Sequence, residues 1–150
     1  MNRLRPLVML VVAAALALPA RPLASPDPGQ ATRQPAKKPS LSIKATPMVA
    51  FTPAKVFLTG ELKGGSDDYK DLYCATIEWN WDDDTTSESS VQCEPYESGK
   101  SQIRRRFSIQ HEFKMAGMYR VQLRLKKKDK IIISAYVNLQ INPGIRDPGR

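Results

Sequence analysis

Apolar and polar residues alternate with a period of two along much of the chain after Leu41. Successive side chains of an extended strand point to opposite faces, so this alternation predicts strands that bury one face and expose the other. Residues 41–45 and 49–51 are interpreted as one edge strand interrupted at Pro47, because sheet edges tolerate proline. The other segments that alternate in this way are 56–62, 75–81, 107–113, 119–125 and 133–141.

The segments between the predicted strands are rich in glycine, aspartate and serine, which are typical of turns. No stretch of the chain combines apolar residues at helical spacing with a convincing cap. Several short strands with one buried face favour two antiparallel sheets packed against each other. We therefore predict an all-β fold, an antiparallel β-sandwich of about seven strands over residues 41–142; a barrel is the alternative that the alternation leaves open.

The first 24 residues have the organisation of a secretory signal peptide. Two arginines precede an apolar run over residues 7–18, and a proline and small residues follow it. This run is shorter than the roughly 20 residues that span a bilayer. We predict cleavage after Ala20 or Ala24, which leaves no stable membrane span, and hence a secreted, periplasmic or extracellular protein. An uncleaved N-terminal anchor is the alternative.

Residues 25–40 are predicted to form a disordered linker and residues 143–150 a flexible tail. Five prolines lie between residues 21 and 40, among serine, glutamine, glycine and lysine. Such a composition buries too little apolar surface to offset the entropy of ordering, and repeated proline keeps the chain extended. The chain is thus expected to carry one β domain, over residues 41–142, on a semi-stiff spacer.

The net charge of +8 is concentrated at the front of the chain. Residues 1–40 hold six basic side chains and one acidic side chain, whereas residues 41–150 hold 17 basic and 14 acidic ones. Binding to a phosphate backbone needs cationic charge concentrated on the docking surface. The mildly cationic body of the chain therefore argues against a nucleic-acid partner.

Two motifs resemble those of the polycystic kidney disease (PKD) domain, an immunoglobulin-like β-sandwich of extracellular proteins. Residues 79–84 are similar to the family pattern W-D-F-G-D-G, and residues 111–125 are similar to H-x-Y/F, a glycine turn and Y-x-V-x-L-x-V. The resemblance covers roughly residues 46–142 and implies an immunoglobulin-like, PKD-type fold. Asp82 and Asp84 stand at the two glycine positions of the family, and aspartate tolerates left-handed backbone better than most residues, so a related turn is expected.

The strand pattern places a set of side chains between the two predicted sheets. Tyr119 begins a strand after a glycine turn and resembles a tyrosine corner, whose hydroxyl group bonds to neighbouring backbone. The single histidine, His111, is expected to make a structural hydrogen bond near this corner rather than to take part in catalysis. The predicted core residues are Trp79, Trp81, His111, Phe113, Tyr119, Val121 and Leu123.

Cys74 and Cys93 are the only cysteines of the chain, and export would place them in an oxidising compartment. We predict a disulfide bond between them; two free buried thiols are the alternative. In the chain-entropy description, closing a loop of this size stabilises the fold by about 3 kcal/mol. The bond is expected to brace the loop of Asp82, Asp83 and Asp84, which is the candidate contact loop.

No metal site is expected, because the chain lacks an ordered ligand spacing such as that of an EF-hand. Aspartate is also common in turns that bind no metal. The side chains that could offer oxygen ligands to a calcium ion are Asp67, Asp68, Asp82, Asp83 and Asp84.

Two basic runs indicate a second candidate surface. If the strands that carry them are neighbours, their outward side chains form a cationic stripe that could bind a polyanion, but a solubilising surface is the favoured interpretation. The residues of this candidate basic face are Arg104, Arg106, Arg120, Arg124, Lys126, Lys127 and Lys128.

The sequence carries no G-x-S-x-G motif, no glycine-rich phosphate loop and no C-x-x-C motif. We therefore expect no catalysis and no cofactor, with a hydrolase as a remote alternative. The leading hypothesis is an exported module that contacts a protein or glycan at the cell envelope or outside the cell, or that acts as a spacer. The second hypothesis is a polyanion-binding surface protein.

Overall fold

The computed structural model describes residues 36–144, in which eight β-strands are present. The predicted signal peptide, most of the predicted linker and most of the predicted tail lie outside the described residues. Within residues 36–144, no helix is long and apolar enough to cross a membrane. The strands are β1 (Ser40–Thr46), β2 (Val49–Phe51), β3 (Ala54–Lys63), β4 (Thr76–Asn80), β5 (Thr86–Ser89), β6 (Arg106–Phe113), β7 (Gly117–Lys127) and β8 (Lys130–Asn142).

The strands form two sheets. The three-stranded sheet has the order β1-β3-β6, and the five-stranded sheet has the order β2-β8-β7-β4-β5. Neighbouring strands pair antiparallel, except that β2 and β8 are parallel. The predicted all-β, immunoglobulin-like sandwich is confirmed, with eight strands where about seven were predicted.

The interpretation of residues 41–51 as one interrupted edge strand is wrong. β1 is an edge of the three-stranded sheet, whereas β2 is an edge of the five-stranded sheet. Pro47 has no N–H group with which to continue the pairing of β1. The carbonyl oxygen of the next residue, Met48, accepts a hydrogen bond from the N–H group of Gln140 in β8. The chain therefore passes from one sheet to the other at this proline.

The core lies between the sheets and is formed by the inward-facing residues of both. Leu58 of β3 and Leu123 of β7 are fully buried in the same apolar cluster. Burying an aliphatic or aromatic side chain contributes about 1.5–3 kcal/mol to folding. Of the predicted core, His111 and Tyr119 lie partly exposed at the border. The buried members are Trp79, Trp81, Phe113, Val121 and Leu123.

A disulfide bond joins Cys74 and Cys93, whose Cα atoms are 6.1 Å apart, and so confirms the predicted bridge. Cys74 precedes β4 and Cys93 follows β5. These two strands form an antiparallel hairpin in which Ile77 pairs with Ser89 near the open end and Asn80 pairs with Thr86 next to the turn. The disulfide therefore closes the hairpin at its open end.

Gly60 lies in β3 at a point where the two sheets come close together. It pairs with Phe107 of β6, is buried, and faces the side chain of Leu123 from the opposite sheet. A β-carbon at this position would overlap the Cδ2 atom of Leu123. Glycine in a strand interior often marks such a close approach, and here it leaves the space that the leucine occupies.

We expect Gly60→Ala to lower the free energy of unfolding by about 1–3 kcal/mol, because it overpacks the contact with Leu123. Urea denaturation followed by tryptophan fluorescence measures this change. In a Leu123→Ala background the same substitution should cost nothing, since the overlapping Cδ2 atom is gone. Equal losses in the two backgrounds would show that the overlap is not the cause.

Candidate functional site

The turn between β4 and β5 is built from consecutive aspartates. Asp82 and Asp84 have φ angles of 61° and 63°, the left-handed conformation for which the PKD pattern uses glycine. The Asn80 Oδ1 atom accepts a hydrogen bond from the N–H group of Asp82, and Asp83 Oδ1 accepts one from the N–H group of Thr85, both at 3.1 Å. These side-chain bonds to backbone two residues on are Asx turns, which stabilise the tight reversal.

The middle aspartate of this turn is paired with the histidine. The Oδ2 atom of Asp83 lies 2.7 Å from Nε2 of His111, which belongs to β6. The imidazole ring is stacked on the ring of Trp81, with centroids 4.1 Å apart and planes 4° from parallel. Burial raises the pKa of Asp83, but hydrogen bonds from Thr85 and His111 outweigh it and hold this pKa below its ordinary value of 3.8.

The first aspartate of the turn is held by β7, a strand of the same five-stranded sheet as the turn. The Oδ2 atom of Asp82 accepts a hydrogen bond of 2.9 Å from the N–H group of Arg120 in β7. The turn is therefore attached to β6 through Asp83 and to β7 through Asp82, and so it links the two sheets. The predicted bracing of the contact loop by the disulfide is wrong, because the disulfide lies at the opposite end of the hairpin. Of the three carboxylates in the candidate contact loop, that of Asp84 alone has no hydrogen bond or ion pair with another side chain or backbone group of residues 36–144.

The hydroxyl group of Tyr119 donates a hydrogen bond of 2.8 Å to the carbonyl oxygen of Met115. This is the geometry of the tyrosine corner that the sequence resembles. The ring of Tyr119 lies 4.6 Å from that of Phe113, which in turn meets the edge of His111 at 4.8 Å. The aromatic side chains thus form a continuous row at this border of the core, and His111 serves as a structural member of that row.

The two acidic loops that could have shared a calcium ion lie at opposite ends of β6. Asp67 pairs with the guanidinium group of Arg105 at 2.6 Å, just before the strand, whereas Asp83 pairs with His111 near its end. Six residues of extended chain separate these two anchor points, a distance of about 20 Å. Across residues 36–144, no group of three or more His, Cys, Asp or Glu side chains is arranged to hold a metal ion.

The candidate basic face does not form one surface. Arg104 and Arg106 lie at the start of β6 in the three-stranded sheet, whereas the other members lie in or just after β7 in the five-stranded sheet. Alternation correctly predicts which side chains of each strand point outwards. The strands β6 and β7 are not neighbours, however, because the chain crosses from one sheet to the other at residues 114–116. The members placed on β7 or after it are Arg120, Arg124, Lys126, Lys127 and Lys128.

Two cations of β7 are also neutralised within the domain. Glu78 of β4 pairs with Arg124 at 2.9 Å and with Lys126 at 2.6 Å, and Lys126 reaches Glu88 of β5 at 2.8 Å. The hydrogen bond from Lys126, together with that from Arg124, holds the pKa of Glu78 below its ordinary range despite partial burial. This ladder across three strands neutralises Arg124 and Lys126, whereas Arg120, Lys127 and Lys128 have no acidic partner among residues 36–144.

Several exposed apolar side chains lie on the outer face of the five-stranded sheet, on β2, β7 and β8. The register aligns Val49 of β2, Gln140 of β8 and Met118 of β7 in one row across the sheet. The guanidinium carbon of Arg120 lies 3.8 Å from the ring centroid of Tyr136 on the same face. We call Val49, Phe51, Met118 and Tyr136 the apolar patch; their exposed fractions are 54%, 62%, 70% and 55%.

The apolar patch was not recognised from the sequence as a site. Its only signal is that Met118 and Tyr136 interrupt the polar face of alternating strands, where outward positions are otherwise polar. Val49 and Phe51 share this sheet face with them because β2 pairs in parallel with β8. That pairing joins residues far apart in the sequence. Alternation alone carries no information on that pairing.

Comparison with known proteins gives similarities of fold only. The sequence matches no protein-family model and no curated protein. A PKD domain of an M14-like peptidase from a Thermoplasmatales archaeon has 13% identity and a TM-score of 0.48, with 71% of this chain and 99% of that chain covered. The CARDB domain of a Pyrococcus furiosus protein, in a crystal structure with di-metal ions, has 10% identity and a TM-score of 0.43, with 72% and 97% covered. A PKD domain is thus among the structures to which this chain is similar, as the motifs predicted.

Because the pKa of Asp83 is lowered in the folded chain, part of the free energy of unfolding depends on pH. Because the folded pKa lies below the ordinary value of 3.8, the stabilisation is present above that value and is lost as the pH falls through the folded pKa. We expect Asp83→Asn to lack this component. The difference in free energy of unfolding between the native chain and the variant should be largest near neutral pH and shrink below pH 3.8.

Urea denaturation at a series of pH values measures this difference, and Asp84→Asn is the matched control. Asp84 is exposed and lies next in the same turn, so its variant should follow the native curve. A constant difference between the native chain and Asp83→Asn at all pH values would contradict the assignment.

Proposed function

We propose that the protein is exported and that its immunoglobulin-like domain is a non-catalytic module that contacts another protein through the apolar patch. The observation that carries the proposal is the set of exposed aromatic, methionine and arginine side chains that share the outer face of the five-stranded sheet. Interface cores are enriched in these residue types, and large exposed apolar patches on soluble domains mark interaction sites.

The surroundings of the apolar patch favour a protein over a polyanion. The guanidinium group of Arg120 is stacked on Tyr136, which holds this cation flat against the sheet, and the backbone N–H group of Arg120 donates to Asp82. Farther along β7, Arg124 and Lys126 are paired with acidic residues. A stacked arginine and flat apolar side chains suit a packed, largely dehydrated interface.

The non-catalytic role is supported by how the titratable groups are used. His111 is stacked between aromatic neighbours and its hydrogen bond goes to Asp83. The carboxylate of Asp83 is in turn held by Thr85. The histidine and the carboxylate that face each other at this end of the sandwich thus hold the turn between the sheets.

Export is supported by the composition of residues 1–24 and by the disulfide bond in the folded domain. The proline-rich linker would hold the domain at a distance from whatever precedes it. Contact with a glycan and a purely spacing role are the alternatives, and the experiment below separates them from a protein partner.

We expect a photo-crosslinking phenylalanine analogue placed at Phe51 to capture a protein in the producing cells. The matched control is the same analogue at Phe57, which is 61% exposed against 62% for Phe51 but lies in the three-stranded sheet. Mass spectrometry identifies the captured species. Tyr136→Ser in the Phe51 background should reduce the captured amount about tenfold, since aromatic anchors dominate interface energies.

Three outcomes would contradict the contact proposal. Capture of a glycan at Phe51 would identify the alternative partner class. No capture at either position would favour a spacer, and equal capture at the two positions would show that the patch has no special role.

We expect the exported protein to lack its first 20 or 24 residues and to contain no free thiol. Intact-mass spectrometry of the protein outside the cytoplasm, before and after reduction, should show the loss of the leader and the gain of the two hydrogen atoms that a disulfide lacks. A product that retains residues 1–24, or that reacts with an alkylating reagent before reduction, would contradict export through a cleaved signal peptide or the oxidised state.

A further inference from the structure

The strand β6 presents an unpaired edge of the three-stranded sheet. It pairs with β3 on one side, and no described strand pairs with the other side. The carbonyl oxygen of Arg105 accepts a hydrogen bond from Leu62, so the odd-numbered residues of β6 direct their N–H and C=O groups towards β3. In an antiparallel ladder the alternate residues then direct theirs away from it. The residues with outward N–H and C=O groups are Arg106, Ser108, Gln110 and Glu112.

The charges along this edge are arranged symmetrically about its centre. Arg106 lies three residues before Ile109, and Glu112 lies three residues after it. If Ile109 of one copy faces Ile109 of a second, antiparallel copy, each Arg106 lies opposite a Glu112 and each Ser108 opposite a Gln110. All four residues then belong to hydrogen-bonding positions, as the ladder requires.

We propose that two copies of this chain associate antiparallel through their β6 edges and join their three-stranded sheets into one of six strands. The symmetric contact contains two arginine–glutamate pairs, and opposite charges at directly facing positions stabilise a strand pair. A two-fold interface uses the same surface on both copies, so every favourable pair occurs twice.

The proposed register also extends charge pairs that already exist within each copy. Lys55 of β3 lies opposite Glu112, and Glu61 lies opposite Arg106, with 3.5 Å between the arginine Nη2 and a glutamate oxygen. Across the joined sheet, lysine, glutamate, arginine and glutamate would therefore follow one another in a row of alternating sign. The two-fold axis repeats this row at the other end of the interface.

Neighbouring registers fit less well. A shift by two residues in one direction sets Arg106 opposite Lys114, which places like charges together. A shift in the other direction sets Glu112 opposite Arg104, which lies before the strand begins. Among the described strands at sheet edges, β1 carries Lys44 as its one charged residue and β5 carries Glu88. Two copies of either strand therefore could not form an ion pair with each other.

The association competes with a hydrogen bond inside each copy. The Nε atom of Arg104 donates to the carbonyl oxygen of Arg106 at 3.0 Å, and this oxygen is one of the outward groups of the edge. The arginine side chain must leave before a second strand pairs there. We therefore expect a reversible, concentration-dependent dimer with a dissociation constant between about 1 μM and 1 mM.

Sedimentation equilibrium of the protein as the producing cell makes it, up to about 1 mM, tests the proposal. Arg106→Glu and Glu112→Arg should each weaken dimerisation at least about tenfold, because each turns two attractive pairs into two repulsive ones. The double variant with both changes should return the dissociation constant to within about threefold of the native value, because the pairs are attractive again. Lys44→Glu, an exposed charge reversal on β1 at the opposite edge of the same sheet, should leave the dimer unchanged.

Hydrogen exchange of the edge amides gives an independent measurement. The amides of Ser108 and Gln110 should be protected increasingly as concentration rises, whereas those of β1 should not change. Gln110→Pro should abolish the dimer without unfolding the domain, since its N–H group makes no bond to β3, and circular dichroism checks the fold.

A chain that is monomeric up to about 1 mM would overturn the proposal. So would a dimer that both charge reversals leave intact, or one that the double variant fails to restore while remaining folded. The test is separate from that of the apolar patch, because the edge variants alter the three-stranded sheet and should still permit capture at Phe51.

Discussion

The packing of Trp81 between the two sheets is the contact on which the rest of the structure depends. Its side chain is 1% exposed, lies parallel to the imidazole of His111 at 4.1 Å, and donates from Nε1 to the Oγ atom of Ser87 at 3.0 Å. One ring thereby joins the end of β4, the edge strand β5 and the opposite sheet. The close contact fixes where the following aspartates lie, and so places Asp83 against His111 and Asp82 against Arg120. The attachment of the aspartate turn to both sheets is a consequence of this packing.

The outer faces of the two sheets use their charges differently. On the five-stranded sheet, Glu78 and Glu88 neutralise Arg124 and Lys126. The residues of the apolar patch lie on the same face, where Arg120 is stacked on Tyr136. On the three-stranded sheet, Arg106 and Glu112 lie at the two ends of an open edge, and only Arg106 has an ion pair within residues 36–144. Charges at a strand edge commonly prevent association. Opposite charges placed symmetrically restrict association to one register instead, which distinguishes a specific contact from aggregation.

Much of the fold could be predicted from local pattern. Alternation located the strands other than β5, whose sequence Thr-Ser-Glu-Ser has no apolar position, and the motif at residues 79–84 indicated a turn with left-handed backbone at Asp82 and Asp84. The pairing of strands could not be predicted, because a period of two specifies the buried face of a strand and not its neighbours. For this reason the sequence leaves open whether Arg104 and Arg120 share a surface, and the sheet order places them in different sheets. The apolar patch was missed for the same reason, since β2 meets β8 only through contacts across some 90 residues.

The parallel pairing of β2 with β8 has a mechanical consequence. These strands belong to the first and last parts of the folded domain, and they run side by side in the same direction. A pulling force that enters through β2 and leaves through β8 acts along both strands in opposite senses, so it shears all of their hydrogen bonds together rather than peeling them one by one. If the hydrogen bonds between β2 and β8 break, the segment from Cys74 to Cys93 still cannot lengthen, because the disulfide closes it.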